Sequence, residues 1–231
     1  MNTATAVYNT WSIFYQTHIH ISHVKKNPML ARELKKVWAT RILNIVNVEV
    51  QVKGTPAQNP ALLFLGNHIS YLDIPLLMAS CDDISFVAKS EVRSWPIIGT
   101  AADLIGTVFV KREQKQTRQQ AKIQIGKQLK NKKRIAMFPS GTTCITESKP
   151  WRTGAFEIAL QTETMVQPFR ITYSPLREAA YIDDDNFVKH LFNLFKHKQI
   201  KATIEFHQPV HVKEIAADCA YWQRWSKDAE V

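Results

Sequence analysis

No run of this chain approaches the ~18 to 20 uncharged apolar residues that a membrane-spanning helix needs, so no spanning segment is expected. The first residues also lack the basic start and the continuous apolar stretch of a secretory signal, so export is not expected either. Cysteine is scarce. Cys81, Cys144 and Cys219 are odd in number, widely spaced and outside any C-x-x-C or Cys/His ligand pattern. That argues against a disulfide frame or a structural zinc and for a reducing compartment. His18, His20, His23, His190, His197, His207 and His211 make no i, i+4 pair around a carboxylate, and neither a metal site nor a resident cofactor is expected. Internal repeats and low-complexity tracts are missing too.

What is present is a chain able to bury a core: 231 residues, 45% hydrophobic and 22% charged. One globular domain with at most a small appendage is the default. The formal charge of +10 calls for an anionic partner, either nucleic acid or anionic lipid. No helix-turn-helix spacing, RNA-binding signature or aromatic-basic ribbon supports nucleic acid. Charge alone is its only support, and an anionic membrane surface is the expected partner.

Two segments near the start read as amphipathic helices: Val7 to Val24, and Met29 to Val46 with Leu30, Leu34, Val37, Trp38, Ile42, Ile45 and Val46 at helical spacing. Arg32, Lys35, Lys36 and Arg41 fall on the remaining face of the second. Such helices either pack on the domain or anchor it at an interface; residues 1–46 are assigned to a helical membrane-association segment, and 47–231 to an α/β domain. From Val48 onward short β runs alternate with helical stretches, which predicts a mixed, mostly parallel sheet flanked by helices. Expected strands are Val48–Val52, Ala61–Leu65, Ile84–Ala88, Gly106–Val110, Arg134–Phe138, Met165–Tyr173 and Lys201–Phe206. Expected helices are Ile74–Ser80, Pro96–Leu104, Gln114–Lys130, Thr153–Gln161 and Phe187–Lys196. Gly54 to Pro60 has the composition of a junction between the helical segment and the sheet domain.

The chemistry concentrates in LLFLGNHISYLD, Leu62 to Asp73: an apolar strand runs out into Gly66 and Asn67, then His68, then Asp73 five positions later. Asp73 stands where a helix N-cap would, with Pro75 in the first turn. Strand ends followed by helix starts are where α/β sheets present functional side chains. A carboxylate bonded to one imidazole nitrogen fixes the tautomer and leaves the other nitrogen to accept a proton. On spacing alone, a His and an Asp in one loop are more often an ordinary polar loop. Here the loop is followed, in order, by FVAKSEV with WPIIG, by GTVFVKR, by FPSGTT and by VQPF.

This order resembles the glycerolipid acyltransferase family, which includes the 1-acylglycerol-3-phosphate acyltransferases. His68 and Asp73 match its N-H-x-x-x-x-D block. Gly106, Phe109 and Arg112 match the second block; Phe138, Pro139, Gly141 and Thr142 the F-P-E-G-T-R block; and Pro168 the fourth. Within the family, the K-S-E and E-G-T-T variants are most similar to acyltransferases acting on lyso-ornithine lipid, and this chain carries Lys89-Ser90-Glu91 and Gly141-Thr142-Thr143.

The resemblance implies an O-acyltransferase in which His68 is general base on a lysolipid hydroxyl and Asp73 orients the ring. The donor would be acyl-CoA or acyl-carrier protein, acting as co-substrate. Arg112 would hold an anionic group. Lys89, after a strand, would reach a phosphate or CoA group. Two departures bear on the acceptor: Ser140 stands where the family has Glu, and Thr143 where it has Arg. They leave a retuned headgroup site, or a catalytically weakened relative that binds lipid without turnover, as alternatives. Ser140 lacks the G-x-S-x-G elbow of a hydrolase nucleophile. The expected location is the cytoplasmic face of the cell membrane, held peripherally or monotopically.

Overall fold

The structure, a computed structural model, describes residues 3–111, 115–146, 149–182 and 184–228. The chain opens with helices α1 (Thr3–Lys26) and α2 (Ala31–Ile45), joined by a 3-10 turn at Pro28–Leu30. Then come β1 (Val48–Lys53), β2 (Leu62–Gly66), α3 (Asp73–Ser80), β3 (Ile84–Lys89), a 3-10 turn at Ser90–Ser94, α4 (Ile98–Leu104) and β4 (Val108–Val110). The second half runs α5 (Lys115–Lys130), β5 (Arg134–Met137), α6 (Gly154–Gln161), β6 (Val166–Ser174), α7 (Leu176–Ala179), α8 (Phe187–Leu194), β7 (Ile200–Phe206) and α9 (Ile215–Lys227).

The seven strands form one sheet in the order β1-β7-β6-β2-β5-β3-β4. Among the described residues every neighbouring pair is parallel except β6 with β7. The expected mixed, mostly parallel sheet is what forms. The centre is β2, whose five residues are all buried, as expected of a continuous apolar run covered on both faces. Period-two alternation divides its side chains. Leu62 and Phe64 join a core with α2, α3 and α8, whereas Leu63 and Leu65 join a second core with α5, α6 and α9. At the edge, β1 buries only Val48 and exposes Glu49, Gln51 and Lys53, a charged rim that discourages pairing with another chain.

Gly54 to Pro60 is not a junction between units. It connects β1 to β2, and β1 is already hydrogen-bonded to β7 within the sheet. The N-terminal helices share that sheet's core: Ala6, Ala39, Leu43 and Val46 pack in the same cluster as Phe64 and Ile204. The basic face of α2 also meets acidic partners on the domain, although Arg32, Lys36 and Arg41 stay exposed and only Lys35 is buried. Arg32 and Lys36 pair with Asp82 at 3.3 and 3.5 Å, and the buried Lys35 pairs with Asp83 at 3.2 Å. The C-terminal helix α9 was not anticipated. Glu214 caps it through the amides of Ala216 and Ala217, and Cys219 and Trp222 are buried from it.

Candidate active site

The carboxyl ends of β2, β5 and β3 lie at one end of the sheet, where open α/β sheets bind ligands, and from them come His68, Phe138 and Lys89. The loop after β2 is held by an Asn clamp. Asn67 Nδ2 donates to the Ile171 carbonyl and Asn67 Oδ1 accepts from the Ile171 amide, both at 2.8 Å. Its side chain thus extends the β2–β6 ladder by one step beyond the Gly66–Phe169 pair. Gly66 is required by closeness: a Cβ there would meet the Phe169 carbonyl oxygen at 2.4 Å and its ring at 2.5 Å. Phe169 lies edge-on to Phe138, and Phe138 stacks flat on His68 with centroids 4.0 Å apart. The loop backbone is tied down further by the Cys144 amide on the His68 carbonyl and the Tyr181 amide on the Ile69 carbonyl.

Asp73 is completely buried, so its carboxylate must be satisfied by hydrogen bonds. Oδ2 accepts from His68 Nδ1 at 2.7 Å, from the Ile69 amide at 2.8 Å and from the Ser70 amide at 3.2 Å. Oδ1 accepts from the Tyr173 hydroxyl at 2.7 Å. Contrary to the N-cap expectation, Asp73 is the first residue of α3 and its side chain caps no later amide. It turns back to organise the loop that carries His68. The Tyr173 hydroxyl is held well above its usual range by burial first and by the Asp73 charge second, so it stays protonated and always donates.

Beside this pair lies a cavity of about 490 Å³, within the roughly 300–1,000 Å³ of small-molecule sites. Its walls are mostly apolar: Ile74, Met78, Phe86, Ile98, Ala102 and Ile105 from the sheet side, Ile13, Phe14 and Ile42 from α1 and α2, with His68 on the lining. Gly141, Thr142 and Thr143 line it too, carried by a turn in which the Gly141 amide bonds the Phe138 carbonyl and Gly141 adopts φ 74°. That left-handed backbone suits glycine. Lys89 lies on the lining, with its ammonium paired to Glu91 at 3.0 Å. Ser140 is buried and donates to the Thr142 carbonyl at 2.9 Å, so its hydroxyl braces the turn. Arg112 lies outside the described residues.

Tyr173 and the Asn67 clamp were not anticipated as parts of the site. Tyr173 sits 100 residues from Asp73, and no local spacing announces such a contact. Asn67 was visible as the neighbour of His68, but its clamp depends on β6 lying beside β2.

A His–Asp pair at the wall of an apolar cavity is equipped to deprotonate a hydroxyl near a long apolar chain. The acyltransferase family profile matches residues 47–172, more than half of the chain. The chain belongs to the acyltransferase family. Among its relatives are the lyso-ornithine lipid O-acyltransferase of Pseudomonas aeruginosa, 32% identical over 186 residues covering 78% of this chain and 71% of that protein. The 1-acyl-sn-glycerol-3-phosphate acyltransferase of Neisseria meningitidis is 25% identical over 134 residues, covering 57% of this chain and 52% of that protein. The fold matches the crystal structure of the 1-acyl-sn-glycerophosphate acyltransferase PlsC from Thermotoga maritima with a TM-score of 0.73. That match is 19% identical in sequence and covers 98% of this chain and 93% of that one.

Proposed function

We propose that this acyltransferase moves a fatty acyl group from a thioester, acyl-CoA or acyl-carrier protein, to the hydroxyl of a lysolipid. The observation that carries the reading is the His68–Asp73 hydrogen bond on the lining of the apolar cavity. With Nδ1 donating to a carboxylate, the neutral ring presents Nε2 as its proton acceptor. The acceptor hydroxyl gives its proton to Nε2 as its oxygen attacks the thioester carbonyl. The tetrahedral intermediate then expels the thiolate, which takes the proton back from the imidazolium. Asp73 stabilises that imidazolium, and no acyl-enzyme is required.

For the acceptor, two features favour lyso-ornithine lipid over lysophosphatidic acid. Thr143, on the cavity lining, replaces a planar cation suited to phosphate, and relatives at 32% identity are lyso-ornithine lipid O-acyltransferases. Arg112, which matches the family's second block, would be the anion clamp, assisted by Lys89 on the cavity lining.

Attachment to the membrane surface is supported by α1, where Val7, Tyr8, Trp11 and Tyr15 form an exposed stripe and Trp11 stacks on Tyr15 at 4.8 Å. Aromatic side chains suit the headgroup region. No helix among the described residues is long and apolar enough to cross a membrane. The reducing compartment inferred from cysteine usage supports the cytoplasmic face. Incubating the protein with a labelled acyl thioester and a panel of lysolipids, with products identified by mass spectrometry, tests the reading. An acylated lysolipid is expected, and thioester hydrolysis with no acylated lipid would overturn it.

A further inference from the structure

The loop that carries His68 is anchored on a second side, away from Asp73 and Tyr173. Tyr71 leaves it for the wall of the cavity, and its hydroxyl meets His190 Nδ1 on α8 at 2.9 Å. The other ring nitrogen, Nε2, lies 2.8 Å from the Ala180 carbonyl, an oxygen that also accepts from Arg177 Nη1 at 3.3 Å. A carbonyl can only accept, so Nε2 carries the proton. Burial above all holds His190 below the ordinary histidine range, which leaves the ring neutral at neutral pH and Nδ1 bare. The Tyr71 hydroxyl, which burial raises far above its usual range, is then the donor.

These bonds close a circuit. Next to Ala180 is Tyr181, whose amide donates to the Ile69 carbonyl at 3.0 Å. The path therefore runs from Ile69 through Tyr181, Ala180 and His190 to Tyr71, and back along the loop to Ile69. The segment that supplies Ala180 is itself braced: Arg177 grips Asp185 through both terminal nitrogens at 3.2 Å, and Asp185 accepts from the Ile182 amide at 3.1 Å. His190 is buried yet is not on the cavity lining. It can influence the reaction there only through its neighbours. We infer that His190 is a positioning residue for acyl transfer: through Tyr71 it fixes the segment from His68 to Asp73, and with it the place of His68 Nε2 against the acceptor hydroxyl. A displacement of about 1 Å at a reacting centre can cost on the order of 100-fold. The inference rests on the proposed function for one point, that His68 is the base.

The experiment uses the full chain and measures acyl transfer beside unfolding titrations for wild type, His190→Leu, Tyr71→Phe, the double variant and His190→Gln. Each of the first two single variants is expected to lower kcat by about fivefold or more, the value of one ordinary net hydrogen bond. KM for the thioester should stay within about twofold of wild type, because a displaced base weakens the transition state and leaves donor binding alone. Both substitutions break the same bond, so the double variant should lose no more than the worse of the two singles. His190→Gln, which keeps a donor and an acceptor, should recover part of kcat.

A folded His190→Leu or Tyr71→Phe with wild-type kcat would overturn the inference, and lowered stability beside that kcat would make the pair a brace of the fold alone. Losses that multiply in the double variant, or that fall on KM and spare kcat, would overturn it as well. Should His190→Leu not fold, Tyr71→Phe, which leaves the ring in place, and His190→Gln decide the matter by the same readings. In each of these outcomes His68-dependent transfer by wild type stands. If His68→Ala transfers as fast as wild type, the proposed function fails and the inference fails with it.

Discussion

Tyr173→Phe removes one oxygen from a ring that is otherwise 4% exposed, and it strips Asp73 Oδ1 of the hydroxyl that donates to it at 2.7 Å. The phenyl ring fills the same space, so no cavity opens. The loss is confined to a hydrogen bond on a fully buried carboxylate. Bonds to charged groups contribute about 1.5–3 kcal/mol, and leaving a buried acceptor without a partner costs about as much. Asp73 retains three bonds at Oδ2, so the variant should fold, with unfolding free energy lowered by about 1–3 kcal/mol in denaturant titrations. Because the carboxylate holds the His68 ring, turnover should fall as well, by roughly tenfold or more at about 1.4 kcal/mol per decade. KM for the thioester should change little, since the hydroxyl is bonded to Asp73 and Tyr173 is not part of the cavity lining. A folded Tyr173→Phe with wild-type kcat and lowered stability would make the tyrosine a structural brace only. Unchanged kcat and unchanged stability together would refute the reasoning about the buried carboxylate.

Trp11→Ala with Tyr15→Ala should weaken flotation with anionic vesicles while leaving the fold intact, since both side chains are exposed on α1; flotation equal to wild type would remove α1 as the contact. Thr143→Arg should move acceptor preference toward lysophosphatidic acid by roughly tenfold, the worth of one charge-assisted bond, measured as the ratio of kcat/KM values for the two acceptors. His20 gives a pH signature: its folded pKa of about 4 lies below the unfolded 6.5, so between those values the unfolded chain binds the proton that the folded chain refuses. Stability should therefore fall as pH drops through that window, with His190, also lowered chiefly by burial, acting in the same direction. His20→Leu should flatten the slope, as read by unfolding titrations across the window.

Much of the architecture was legible because its signals are local. The buried runs of β2, β5 and β6 stand out by hydrophobicity, and the structure moves their ends by a residue or two. The His68–Asp73 loop was legible for the same reason, since strand, loop and helix start are contiguous. What escaped depends on partners distant in sequence. The role of Asp73 differs from a cap because β6 brings Tyr173 beneath it. Ile13 and Phe14 fall in the segment assigned to membrane association, yet they line the cavity, because docking of α1 on the domain decides which side of the helix is covered. The basic residues of α2 meet Asp82 and Asp83 rather than only solvent, a pairing set by the turn between α3 and β3. The helix α9 lies beyond the last recognisable block, and its pattern of Cys219, Trp222 and Ser226 becomes meaningful only against the second core.

The central claim is that the His68 imidazole, held by Asp73, takes the proton from the acceptor hydroxyl. The direct measurement is acyl transfer from labelled thioester to lysolipid by His68→Ala, alongside its unfolding titration. The account predicts a folded variant whose transfer rate is lower by at least about 100-fold, the typical contribution of a positioned general base. A folded His68→Ala that acylates lysolipid at close to the wild-type rate would contradict it.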